Sequence, residues 1–198
     1  MASSTVGIPA PVSTNFCVPY MAQFIIEQKV LTLSSGKFTI KDPQGNLLFQ
    51  VKSKLPSLHT KRILCDSSEK ALVFLSRKIL TMHDTWEATS ADGDEKTVFV
   101  MKKSGLVQLK PSFHVFLGTN TSMSRPDFTV KGDFFQFNYT ICYNDVPIAE
   151  ASRKINASAI LVGKDQYMVT IQPGVDHAFI ASLVVIMDQV AQGDQAGS

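Results

Sequence analysis

The residues best suited to chemistry are cations that lie close together in the stretch VKSKLPSLHTKRI. Lys52, Lys54, Lys61 and Arg62 are only a few positions apart, and neighbouring hairpins of a sheet could bring them into one patch for an anionic group. Each lysine near an anionic surface contributes only about 1 kcal/mol, so several must converge. The sequence alone favours a simpler interpretation, in which these charges solvate the outer face of a sheet and protect its edges. More cations follow along the chain: Arg77, Lys78, Lys102 and Lys103.

Catalytic patterns are weak. The four histidines have no short metal-binding spacing, no serine lies in a nucleophile elbow, and no glycine-rich phosphate loop occurs. His83 and Asp84 shortly precede Trp86, but a turn leading into a strand with a structural Trp86 explains this better than an active site. We therefore predict a protein that is not an enzyme and has no cofactor.

Cysteine usage and charge narrow the class of protein further. Cys17, Cys65 and Cys142 are scattered and odd in number, which favours reduced cytosolic or nuclear thiols over a disulfide framework or a zinc site. A net charge of +2 predicts no direct binding of nucleic acid. The first residues lack the basic segment and the continuous apolar segment of a signal peptide. We therefore expect a cytoplasmic protein, with membrane association or a nuclear location as open alternatives, and a monomer.

Alternating apolar and polar residues between turn signals predict strands along most of the chain. In KFTIKDPQGNLLFQV, for example, Phe38 and Ile40 alternate with polar residues before a turn, and the alternation resumes at Leu47. About twelve such segments occur. We expect them to start near Met21, Lys37, Leu47, Lys61, Ala71, Thr85, Lys96, Ser112, Asp127, Phe137, Val146 and Gln166.

One segment near the C-terminus has the length of a helix but no polar face. In VDHAFIASLVVIMDQVA the only polar side chain between Ala178 and Met187 is Ser182. Asp176 is a good N-terminal cap and Gly193 a plausible end. The helix is too short to span a bilayer, so protein must enclose it, with Leu183 and Val184 in the core. A closed barrel of about twelve strands has room for one helix, about 10–12 Å wide.

The stretches FTIKDPQGNLLF, SRKILTMHDTWEA, FTVKGDFFQFNYTI and DQYMVTIQPGVDHAFIASLVVIMD, in this order, resemble the plant LURP-one-related family. That family is similar to the phospholipid scramblases and to the Tubby C-terminal domain. The resemblance implies a twelve-stranded antiparallel barrel around a hydrophobic helix, as the residues predict independently. We expect one domain over residues 20–192, a flexible tail over 1–19 and a second tail over 193–198.

The resemblance also implies candidate activities. The family is associated with plant defence, Tubby-type domains bind membrane phosphoinositides, and scramblases move lipids with calcium. Asp165 and Asp176 are the weak candidates for a calcium site, but calcium prefers about six to eight oxygen ligands with several carboxylates. A turn residue and a helix cap explain these two residues better.

We therefore expect a non-enzymatic binding or tethering module with a membrane phosphoinositide or a protein as its partner. Lys52, Lys54, Lys61 and Arg62 are the candidate residues for the lipid head group. A scramblase-like lipid-handling protein and a carrier of a small ligand are the alternatives. The carrier is disfavoured because the helix would occupy the interior of the barrel.

Overall fold

The computed structural model describes residues 7–27, 38–53, 61–78, 84–104, 112–134, 136–152 and 166–195. Twelve strands, one long helix and a short 3₁₀ helix, Thr14–Phe16, make up the regular structure of this part of the chain. The strands are β1 Ala22–Glu27, β2 Phe38–Lys41, β3 Leu47–Ser53, β4 Lys61–Asp66, β5 Ala71–Lys78, β6 Thr85–Ser90, β7 Thr97–Lys103, β8 Ser112–Leu117, β9 Phe128–Asp133, β10 Asn138–Tyr143, β11 Val146–Ser152 and β12 Gln166–Ile171, and the helix is α1, His177–Gln195.

The strands form a closed antiparallel barrel, which confirms the predicted fold. Each strand pairs with its neighbours in sequence, and β1 closes the barrel by pairing with β12. Every strand begins within one residue of its predicted start. Turn chemistry explains part of this agreement. For example, Asn144 and Asp145 both have positive φ, the conformation that a two-residue hairpin turn requires and that these residue types tolerate.

The helix runs through the interior of the barrel. Leu183 and Val184 have no exposed surface, and Phe179 contacts the rings of Phe99 and Phe128 from the barrel wall at centroid distances of 5.3 and 4.7 Å. The buried Ser182 hydroxyl donates to the carbonyl of Ala178 one turn earlier, so this polar group is satisfied within the helix. Alternate residues of the strands complete the core, including Trp86, which is 2% exposed.

Both ends of the chain differ from the sequence-based expectation. The helix continues through Gly193 to Gln195, because one glycine weakens a helix without ending it. Within the expected flexible tail, Ile8, Val12 and Phe16 pack against the core of the barrel. Phe16 packs on Phe49 with a centroid distance of 5.5 Å. We call residues 7–18 the N-terminal strap.

The antiparallel order gives the barrel two distinct ends. Odd-numbered strands begin, and even-numbered strands end, at the end where α1 starts. We call this the acidic end and the opposite one the basic end, for the charges described below. The strap lies at the acidic end, where the amide of Gly174 donates to the carbonyl of Val18 at 2.7 Å.

Candidate anion-binding site

The predicted head-group residues occupy adjacent strands, and two of them point outward. Lys52 lies near the end of β3 and Lys61 at the start of β4, and Lys54 lies outside the described residues. The Lys52 ammonium donates to the Glu69 carboxylate at 2.7 Å, a hydrogen bond that raises the pKa of Lys52. The Lys61 ammonium lies 4.7 Å from the centroid of the Phe74 ring.

Arg62, in contrast, reaches toward the helix. One guanidinium nitrogen donates to the side-chain oxygen of Gln189 at 2.8 Å. Burial lowers the pKa of Arg62, and the nearby Asp188 carboxylate opposes this shift. Burial also raises the pKa of Tyr139, and Asp188 adds to that shift. Arg62 is thus a half-buried cation that faces the helix, and this placement is less suited to the head-group role that the sequence predicts for it.

Two further cations of the basic end pair with carboxylates. Arg77 contacts Asp84 at 2.7 Å, and Lys78 contacts Glu87 at 2.5 Å. Asp84 therefore has a structural partner, while His83 lies outside the described residues. The two cations are about half exposed, whereas the Asp84 and Glu87 side chains are only 14% and 20% exposed.

The two ends of the barrel differ in charge within the described residues. The basic end carries Lys61, Arg62, Arg77, Lys78 and Lys103, against Asp84, Glu87, Asp133 and Asp188. The ammonium groups of Lys52 and Lys102 reach back toward the opposite end, where they contact Glu69 and Met123. The acidic end carries Asp42, Asp66, Glu69, Asp92, Asp94, Glu95, Asp127, Asp145 and Asp176, against Lys41, Lys70, Lys96 and Arg125. Such an asymmetry orients a molecule in the field of an anionic surface. Sequence reasoning missed it because the strand order decides which charges share an end.

Only one of the two candidate calcium residues, Asp176, lies in the described part of the chain. Asp165 lies outside the described residues. The Asp176 carboxylate accepts four backbone N–H groups, from Val12 and Ser13 in the strap and from Ala178 and Phe179 in the helix, at 2.7–3.1 Å. Among the described residues, no group of three or more His, Cys, Asp or Glu side chains is arranged to hold a metal ion.

The same part of the chain contains no helix that is both long enough and apolar enough to cross a membrane.

A second group of basic residues lies on the outer wall, and of its members the sequence pointed only to Lys102. Lys102 on β7 is directly opposite His114 on β8, and His114 is opposite Thr129 on β9. Lys131 follows two residues after Thr129 and therefore projects from the same face. The signal for this group is strand alternation, but it becomes visible only when the pairing of β7, β8 and β9 is known.

Comparisons with known proteins agree with this architecture. An X-ray structure of an Arabidopsis thaliana protein matches with a TM-score of 0.72 and 34% identity, covering 93% of this chain and 99% of the other. Two Arabidopsis thaliana relatives are Protein LURP-one-related 15, 38% identical over 96% of this chain and 92% of its own length, and Protein LURP1, 36% identical over 90% and 88%. The family model described as LURP-one-related matches residues 22–188. The chain therefore belongs to the LURP-one-related family.

Proposed function

We propose that this protein is a non-catalytic binding and tethering module whose basic end attaches to a membrane surface that contains phosphoinositides. The observation that carries this proposal is the charge difference between the two ends of the barrel. A helix fills the interior, so a partner must bind on the outside. Cations at the ends of adjacent strands can contribute together, at about 1 kcal/mol for each lysine near an anionic surface.

A protein partner is the second candidate, and exposed apolar residues favour it. Tyr20, Met21 and Val146 are 63%, 57% and 62% exposed. Tyr20 and Met21 lead into β1 and Val146 begins β11. Both strands pair with β12, so all three side chains belong to the same part of the acidic end. If the basic end faces a membrane, this apolar corner faces away from it, toward soluble proteins.

A vesicle flotation experiment tests the membrane proposal. The protein should float with phosphatidylcholine vesicles that contain phosphatidylinositol bisphosphate and not with pure phosphatidylcholine. Binding should weaken as salt rises, because the Debye length is about 10 Å at 0.1 M and shortens above it. Wild-type protein that binds neither kind of vesicle, even at low salt, would contradict the proposal.

Matched variants locate the binding surface. Lys61→Gln with Lys78→Gln removes two charges from the basic end, while Lys70→Gln with Lys96→Gln removes two from the acidic end. The first pair should weaken flotation and the second should leave it near the wild-type level. Arg62 is unsuitable for this test, because its guanidinium also donates to Gln189 of the helix, and its replacement would change the packing of the barrel as well as its charge.

A further inference from the structure

The strand register brings three basic side chains together on the outer wall of β7, β8 and β9. Lys102 and His114 are directly opposite each other. Lys131 is diagonal to His114, because His114 pairs with Thr129 and Ser112 pairs with Lys131. Side chains at opposite positions have Cβ atoms about 4.5–5.5 Å apart, and those at diagonal positions about 7–8 Å. The three side chains therefore project from one face of three neighbouring strands, with His114 between the two lysines.

The charge of Lys102 has no acidic partner in the described part of the chain. Its ammonium lies 3.2 Å from the Met123 sulfur and 5.7 Å from the centroid of the Phe116 ring. A thioether is a weak acceptor, and an aromatic face attracts a cation without neutralising it. This cation differs in that respect from Arg77 and Lys78, which each contact a carboxylate.

Lys131 and His114 complete the positive cluster. Lys131 has only a long, exposed contact of 3.4 Å with Asp145, which a stronger anion would replace at little cost. Burial lowers the pKa of His114, and the charge of Lys131 lowers it further. The groups around the imidazole are thus Lys102 on β7, Lys131 on β9 and, beyond Lys131, Asp145.

The floor of the cluster is apolar and held in place. Phe116 is only 6% exposed although it lies on the outer face, and the His114 ring packs edge-on against it. The loop between β8 and β9 places Met123 over Lys102. The Asn120 side chain accepts from the Met123 amide at 3.2 Å and donates to Asp127 at 2.8 Å. An apolar floor strengthens the attraction between the cations and an anion, because the local dielectric constant is lower than in water.

We propose that Lys102, His114 and Lys131 form a binding site for a phosphate monoester on the outer wall of the barrel. The phosphate belongs either to a lipid head group or to a soluble inositol phosphate, since both present the same dianion to the two ammonium groups and the imidazole. In the lipid case this site rests on the proposed membrane function and adds to the basic end a contact on the side wall, toward the end where Met123 and Asp145 lie.

Two binding arms separate the sources of the phosphate. One arm titrates the folded protein with inositol trisphosphate by calorimetry, and the other uses phosphatidylcholine vesicles with and without phosphatidylinositol bisphosphate. Lys102→Gln with Lys131→Gln should weaken binding about thirtyfold, as expected for the loss of two lysine contacts of about 1 kcal/mol each. The matched pair Lys70→Gln with Lys96→Gln has the same net charge and should bind as wild type does. His114→Gln alone should also weaken binding and serves if the double variant does not fold.

A site-specific readout comes from the histidine ring. Binding of a dianion at this site must raise the pKa of His114, because the charged form gains a partner. Proton NMR of the ring during a pH titration, with the His114→Gln spectrum for assignment, measures this shift with and without inositol trisphosphate. A ring pKa that rises with ligand supports the site, and one that stays constant while ligand is bound overturns it.

The remaining outcomes distinguish this site from the membrane function. Binding of inositol trisphosphate without vesicle binding supports the site and contradicts the membrane proposal. Vesicle binding that the Lys102 and Lys131 substitutions weaken no more than the control pair leaves the membrane proposal standing and overturns the site. Failure of both arms overturns both.

Discussion

At the scale of single residues, Asp176 joins the two ends of the chain. One carboxylate oxygen accepts the amides of Ala178 and Phe179 in the first turn of the helix, and the other accepts those of Val12 and Ser13 in the strap. Burial raises the pKa of Asp176, while these hydrogen bonds act in the opposite direction. The cap could be predicted from its position before an apolar run. The strap contact could not, because its partner lies more than 160 positions away.

Asp176→Ala should lower the free energy of unfolding by about 2–4 kcal/mol, since it removes a helix cap and leaves buried N–H groups without an acceptor. Hydrogen exchange should show the amides of Val12 and Ser13 losing protection. Asp42→Ala is the control, because Asp42 accepts similar backbone bonds in an exposed turn and should cost less than about 1 kcal/mol. Equal costs for the two variants would contradict this account of the strap.

His177 predicts how stability depends on pH. Burial lowers its pKa, so the unfolded chain takes up this proton first as the pH falls below the ordinary value of about 6.5. Stability should therefore fall on acidification from pH about 7 to about 5, and His177→Phe should reduce that loss. The lowered pKa of His114 also reduces stability on acidification, and the raised pKa of Asp176 increases it. Wild type and His177→Phe both contain these two residues, so the difference between the proteins reports on His177. Urea unfolding at several pH values gives the difference, and equal losses would show that His177 does not contribute.

At the scale of elements, alternation and turn chemistry were enough to predict the barrel, because each strand has one face of apolar residues such as Phe99 and Met101 on β7. The helix was predictable because it has no polar face. The direction of the Arg62 side chain could not be predicted. Ile63 and Leu64 are adjacent on β4, so both faces of this strand carry apolar residues. The buried Asp188, which interrupts the apolar helix, was the signal that a positively charged side chain could turn toward the helix.

Leu183→Asp or Val184→Asp should prevent folding. Each puts a charge without a partner into a closed apolar core, at a cost of several kcal/mol against a typical domain stability of about 5–15 kcal/mol. Leu183→Met is the matched control and should cost less than about 1.5 kcal/mol. Circular dichroism and thermal melting distinguish these outcomes. Aspartate variants that fold and melt like wild type would be incompatible with an enclosed helix.

At the scale of the whole molecule, the separation of charge between the two ends depends on which strands are neighbours, and no local pattern contains that information. Lys61 and Lys78 lie 17 positions apart in sequence but on paired strands at the same end. Lys70 lies between them in sequence and at the opposite end of the barrel. A list of basic residues therefore could not separate the two surfaces.

Lysine footprinting on vesicles tests the orientation of the barrel most directly. The wild-type protein is acylated briefly, free in solution and bound to vesicles that contain phosphatidylinositol bisphosphate, and mass spectrometry gives the reactivity of each lysine. Binding through the basic end predicts that Lys61 and Lys78 become protected while Lys70 and Lys96 stay as reactive as in solution. Protection of Lys70 and Lys96 instead, or no difference between the two ends, would contradict the proposal that the basic end faces the membrane.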